Sequence, residues 1–281
     1  MARAAIFALL IAVLAGCGRS GRIVVGSKNF TEQLILGEIA AQHLEKRLGR
    51  PVDRKLNLGG TLLAHSALVK GDIDLYPEYT GTALTSVLKQ TPSSSSEDVL
   101  RRVREGYRQW GIDWLDPLGF NNTFAMVVRG ADARRDGIRT LTEARRRRWT
   151  LGAGYEFATR PDGLPGFQKT YELPLKGLPL TMDLGLLYQA LESGKIDMAA
   201  ANSTDGLIAA KDFAVLEDDK HFFPPYQAAF LIRSGLSPQV RSALAELSGR
   251  FSDDTMRKLN YEVAGKHRPI PEVARDFLKY P

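Results

Sequence analysis

The pattern Ala67-Leu68-x-x-Gly71-x-Ile73-Asp74 returns 123 residues later as Ala190-Leu191-x-x-Gly194-x-Ile196-Asp197. A chain that writes the same helix end, glycine turn and strand start twice is constrained to build two related units. The period is too long for a solenoid, whose units run about 20–50 residues. Each copy ends in a strand exit, "DIDLYPEYTGT" from Asp72 and "KIDMAAANSTDG" from Lys195. The register sets Tyr79 against Asn202 and Gly81 beside Thr204. Open α/β sheets bind ligands at the carboxyl ends of their strands, so two such exits facing each other predict two α/β lobes around a cleft.

Local patterns fill in the lobes. Ile23–Val25 reads as a buried strand, with Gly26 turning the backbone after it. Asn29 and Glu32 have the spacing of a capping box for a helix carrying Ile35, Ile39 and Leu44. "TLLAHSALVKG" is a second helix, and the serines of "TPSSSSED" cap a third. Pro77 is expected to end ladder pairing, turning the strand out of its sheet, with Tyr76 packed under Tyr79. A second strand-then-glycine unit opens near Thr150. The composition, 44% hydrophobic and 25% charged, leaves little room for long disorder.

The amino-terminal "MARAAIFALLIAVLAGC" is a separate matter. Its apolar run is too short for a spanning helix, which needs about 20 residues, but suits a secretory signal core. Leu14-Ala15-Gly16-Cys17 resembles a bacterial lipobox, so residues 1–16 are expected to be a signal peptide and 17–22 a linker lipidated on Cys17. Cys17 is the only cysteine, which excludes a disulfide, a thiolate nucleophile or a thiolate metal site in the mature chain. The four histidines lack metal-ligand spacing, and no HExxH, GxSxG or phosphate-binding glycine loop occurs. Neither metal nor cofactor nor catalysis is therefore expected. The formal charge of +6 carries no nucleic-acid reading in an exported protein. The run Arg145–Arg148 reads as a solvated helix end before a strand.

What recurs at strand exits is aromatic and basic residues. Lys28 follows the first strand at a helix amino end, a natural anion site, and Arg160 occupies the matching region of the second unit. Tyr79, Phe124 and Tyr226 add rings at other exits. A quaternary ammonium has no N–H to donate, so aromatic faces are its best partners. A carboxylate on the same molecule calls for Lys, Arg and hydroxyls.

"VVGSKNFTEQLILGEI", "DLYPEYTGT", "GFNNTFAMVV", "NSTDG" and "LEDDKHFFPPY" together resemble the substrate-binding proteins of quaternary-amine ABC importers, which take up glycine betaine, choline, carnitine and similar osmoprotectants. The resemblance spans residues 22–281. It implies a type II periplasmic-binding-protein fold, with lobe 1 built from 23–127 plus 225–281, lobe 2 from 128–224, and two crossover segments between them. It implies an exported, lipid-anchored monomer, periplasmic or at the cell surface, that passes its ligand to an ABC permease and its ATPase. It also implies a cage at Tyr79 and Tyr226, a carboxylate grip at Lys28, Thr82 and Arg160, and further contacts at Gln33 and Asn122. The chain departs from the family pattern at two cage positions, with Phe124 and Asn202 where tyrosine is common. Alternatives on the same fold are a binder of another amine or amino-acid derivative, and a sensory binding module.

Overall fold

A computed structural model describes residues 21–279, so the signal segment and Cys17 lie outside the described residues. Ten strands among those residues form two sheets of five. The first holds β1 (Val24–Gly26), β2 (Asp53–Lys55), β3 (Leu75–Tyr79), β4 (Ile112–Trp114) and the late strand β10 (Ala228–Arg233). The second holds β5 (Phe124–Arg129), β6 (Leu151–Ala153), β7 (Leu180–Thr181), β8 (Met198–Asn202) and β9 (Phe213–Leu216). Their orders, β2-β1-β3-β10-β4 and β7-β6-β8-β5-β9, are the same plan drawn twice. In each, parallel strands meet one antiparallel strand, β10 or β5, that sits between its two neighbours.

Helices cover both faces of each sheet. The first carries α1 (Thr31–Leu48), α2 (Thr61–Lys70), the single turn α3 (Thr80–Thr82) and α4 (Ser96–Tyr107). The second carries α5 (Gly130–Asp136), α6 (Tyr155–Thr159), α7 (Leu164–Tyr171), α8 (Leu184–Glu192) and α9 (Gly206–Ala210). The chain then returns to the first sheet with α10 (Pro238–Ala245), α11 (Asp253–Ala264) and α12 (Ile270–Lys279). Each sheet separates two apolar clusters, so both lobes are three-layered. Residues 115–123 and 217–227 cross between lobes and pair with each other at Asn121 and Gln227. No helix of the described residues is long and apolar enough to cross a membrane.

The internal repeat is real in three dimensions. Gly71 and Gly194 both stop their helices with φ near the left-handed region, at 78° and 76°. Asp74 then accepts the Val24 N–H at 2.9 Å, and Asp197 accepts the Thr150 N–H at 3.1 Å. Ile73 fills the space that a side chain on Gly26 would take, as Ile196 does at Gly152. β3 and β8 end at Tyr79 and Asn202, the residues that the repeat had aligned.

Three local expectations are corrected. Helix α1 starts at Thr31 with Phe30 as its N-cap and no side-chain cap bond; Glu32 is buried and engaged elsewhere. β3 runs straight through Pro77, which lies opposite Phe230 in the ladder. The Thr80 N–H donates to Gln227 O, so the two-residue repeat turns the amides of Tyr76 and Glu78 toward β10 and the proline nitrogen away from it. Tyr76 does pack in the core, but on the opposite sheet face from Tyr79, among Val103, Tyr107 and Trp114. The basic run forms a short 3₁₀ turn, and its arginines are paired, Arg145 with Glu172 at 2.8 Å and Arg147 with Asp136 at 2.7 Å.

Candidate functional site

The exits of β1, β3 and β8, the start of β5 and both crossover segments converge between the lobes. Lys28, in the loop after β1, is 2% exposed. Its Nζ lies 2.5 Å from Glu78 Oε1 and 4.7 Å above the Tyr79 ring. Glu78 is the strand residue just before Tyr79 and has no exposure at all. Across the gap, Arg160 follows the short helix α6. It donates to both oxygens of Asp162, at 2.9 and 2.5 Å, and to Thr82 Oγ1 at 3.2 Å. Its guanidinium carbon sits 5.2 Å from the Phe124 ring centre and 6.0 Å from that of Tyr226. Burial alone works against the charged guanidinium, but the charge and hydrogen bonds of Asp162 outweigh it and raise the Arg160 pKa. The same pairing outweighs burial in the other direction for Asp162, whose pKa is lowered.

Both predicted cage tyrosines are backed by carboxylates. Tyr226 donates its hydroxyl to Asp162 at 2.6 Å, and Tyr79 donates to Glu32 at 2.6 Å. Burial, followed by the adjacent negative charge, pushes both phenols well up, so they remain hydrogen-bond donors. Phe124 meets Tyr226 edge to face at 5.9 Å. Gly81 makes this geometry possible, because a side chain there would reach 2.6 Å from Pro225 O and 2.8 Å from the Tyr226 ring.

The lobes touch through polar groups. Glu156 of α6 accepts the Thr61 N–H at 2.5 Å and the Thr61 hydroxyl at 3.2 Å. Burial raises its pKa, but Lys28, Arg160 and the Thr61 bonds together bring it below the usual value. Glu32 accepts from Tyr79 and Asn122 on one oxygen and from Thr204 and Asn260 on the other. Thr204 belongs to the second lobe and Asn260 to α11.

The predicted residues Lys28, Tyr79, Thr82, Asn122, Phe124, Arg160 and Tyr226 thus come together. Gln33 lies in the same region, its Oε1 accepting the Lys28 N–H at 3.2 Å. Its Nε2 is near the Tyr79 hydroxyl but makes no hydrogen bond of good geometry. Asn202 pairs with Phe124 in the β5–β8 ladder, and its side-chain amide enters none of these bonds. Sequence reading missed the acids Glu32, Glu78, Glu156 and Asp162. Glu78 carried the one available signal, a charge held between two aromatics inside a strand.

The family model for the substrate-binding domain of ABC-type glycine betaine transport systems matches residues 21–280. The carnitine transport binding protein OpuCC of Listeria monocytogenes is 33% identical over 276 residues, covering 95% of this chain and 89% of that protein. A Helicobacter pylori protein named as an ergothioneine transport permease and ergothioneine binding protein, EgtU, is 36% identical over 263 residues. That match covers 92% of this chain but only 47% of the relative, so the chain spans about half its length. A crystal structure described as a glycine betaine/carnitine/choline ABC transporter superposes with a TM-score of 0.75 at 32% identity, covering 92% of this chain and 97% of that one. With its two-lobed fold and polar cleft, the chain belongs to the family of substrate-binding domains of ABC-type glycine betaine transport systems.

Proposed function

We propose that this binding protein captures a quaternary ammonium solute between Tyr79, Phe124 and Tyr226 and passes it to a membrane permease, held at the membrane by a lipid on Cys17. The family places it outside the cytoplasm as the binding component of a betaine- or carnitine-type ABC importer, not an enzyme. The observation supporting the cage is the seating of cations on the rings. Lys28 lies over Tyr79, and Arg160 over Phe124 and Tyr226, at distances where ring quadrupoles attract positive charge. A trimethylammonium group that takes the place of these cations on the rings meets the same attraction, with Lys28, Thr82, Arg160 and Gln33 then drawn to its other end.

A second reading rests on the acids. Lys28 and Arg160 already face Glu78 and Asp162, Glu156 adds further negative charge, and the buried Glu32 adds a carboxyl whose pKa burial raises. That balance favours a ligand bringing net positive charge or its own N–H donors over a simple betaine. Carnitine and ergothioneine, for which the two relatives are named, differ in this respect.

Titration calorimetry with choline, glycine betaine, carnitine and ergothioneine tests both readings. At least one trimethylated compound should bind stoichiometrically and raise the melting temperature, by a stabilisation of about 2.7 kcal/mol at a hundredfold excess over Kd. Absence of binding by all four would remove the cage reading. Binding of ergothioneine alone would favour the second. Detergent partitioning of wild type and Cys17→Ser tests the anchor separately, since only wild type should enter the detergent phase.

A further inference from the structure

We propose that Glu32 is a positioning residue for cation capture: its carboxylate holds the Tyr79 hydroxyl and so fixes the angle and the negative charge of that ring face. The proposal rests on the cage reading, because it concerns how one wall of the cage is held. Glu32 is 2% exposed and accepts four hydrogen bonds, all from neutral donors. Among the described residues no cationic side chain forms an ion pair with it. A buried carboxylate with no partner cation is costly to keep, and a capping role would not call for it. Four donors from four different parts of the chain fix the carboxylate in one place: β3, the first crossover, the loop after β8, and α11.

Burial raises the Glu32 pKa, and the four hydrogen bonds, two on each oxygen, oppose that rise. With the carboxyl ionised the 2.6 Å Tyr79 bond is charge-assisted, and such bonds are about twice as strong as neutral ones. A phenol donating to a carboxylate carries more electron density in its ring, which deepens the attraction of the ring face for a cation. Phe30 stacks against the same ring at 6.2 Å and Lys28 Nζ lies 4.7 Å over it, while the hydroxyl bond to Glu32 holds its polar end. Tyr226 and Asp162 form a similar pair, but there Arg160 already neutralises the acid. Glu32 is the acid whose charge remains to act through a ring.

The test compares choline with its uncharged isostere 3,3-dimethylbutan-1-ol, by the ratio of their Kd values on wild type, Glu32→Gln, Tyr79→Phe and the double variant. A merely structural role for Glu32 would weaken both ligands alike and leave the ratio unchanged. The proposal expects the preference for the cation to fall about three- to tenfold in each single variant, within the range of one cation–π contact. The double variant should lose little more, because both changes cut the same link. A wild-type preference that survives in both variants would overturn the role of Glu32 while leaving the cage intact. No preference in wild type would instead bring down the cage itself. If Glu32→Gln does not fold, Tyr79→Phe decides alone, since it keeps the ring and the carboxylate but breaks the link.

Discussion

Asp205 shows how single residues in this cleft trade stability for position. It sits at the turn after β8, accepting the Tyr188 hydroxyl at 2.7 Å and the Asn202 N–H at 3.2 Å. Burial pushes its pKa up to about 6, those two bonds oppose the shift, and the charge on Glu32 adds to it. An ordinary aspartate titrates near 3.9, so the folded state holds the proton more tightly than the unfolded one. The resulting stability is fully present below about pH 4 and is lost as pH rises through about 6. The residue keeps partial surface exposure, so a cost of about 2 kcal/mol at neutral pH is expected rather than the full shift. Asp205→Asn should therefore melt several degrees higher than wild type at pH 7.5 and nearly level with it at pH 4. Equal differences at both pH values would sink this account. At this scale the sequence disclosed the residues that announce themselves by type, Tyr79, Tyr226, Lys28 and Arg160. It hid the acids, because Glu32 at a helix start looks like a cap until its neighbours from four distant segments are in place.

Among the elements, the exit of β3 carries the most consequence per residue. Pro77 leaves the strand intact, and the bend comes only at Thr80 and Gly81, where the chain passes close under Tyr226 of the second crossover. Gly81→Ala would press a methyl group against both the Pro225 carbonyl and the Tyr226 ring. Overpacking of this kind costs about 1–3 kcal/mol. Urea unfolding should show a loss in that range, and choline affinity should fall with it as Tyr226 is displaced. Unchanged stability and affinity would mean that the crossover yields freely. The repeat made these elements legible, because helix, glycine and strand follow one another locally in both copies. The proline was misjudged for a reason no single sequence carries: whether its nitrogen faces a neighbouring strand depends on sheet order.

Taken whole, the molecule is two lobes that meet through polar contacts and the rings of Phe124 and Tyr226, the kind of mixed interface that permits relative motion. Gly206 of α9 faces the backbone of α11, which packs on the first lobe through Met256. A methyl group on Gly206 would fall 2.3 Å from the Tyr261 nitrogen and 2.5 Å from its Cα, backbone that cannot rotate aside. Gly206→Ala should hold the lobes apart. Small-angle scattering should then give a larger radius of gyration than wild type, and the melting temperature should fall. An identical radius would show that the contact between α9 and α11 tolerates the wedge. The sheet order has one more consequence, and it concerns time. β10 lies between β3 and β4 but is the last strand to be made. The second lobe has all five of its strands within one unbroken stretch, while the first waits with β4 unjoined and an open edge on β3. Such unpaired edges invite pairing with other chains. The first lobe is therefore the late and vulnerable half of assembly, and a chain cut short before Ala228 should leave the second lobe whole and the first prone to aggregate.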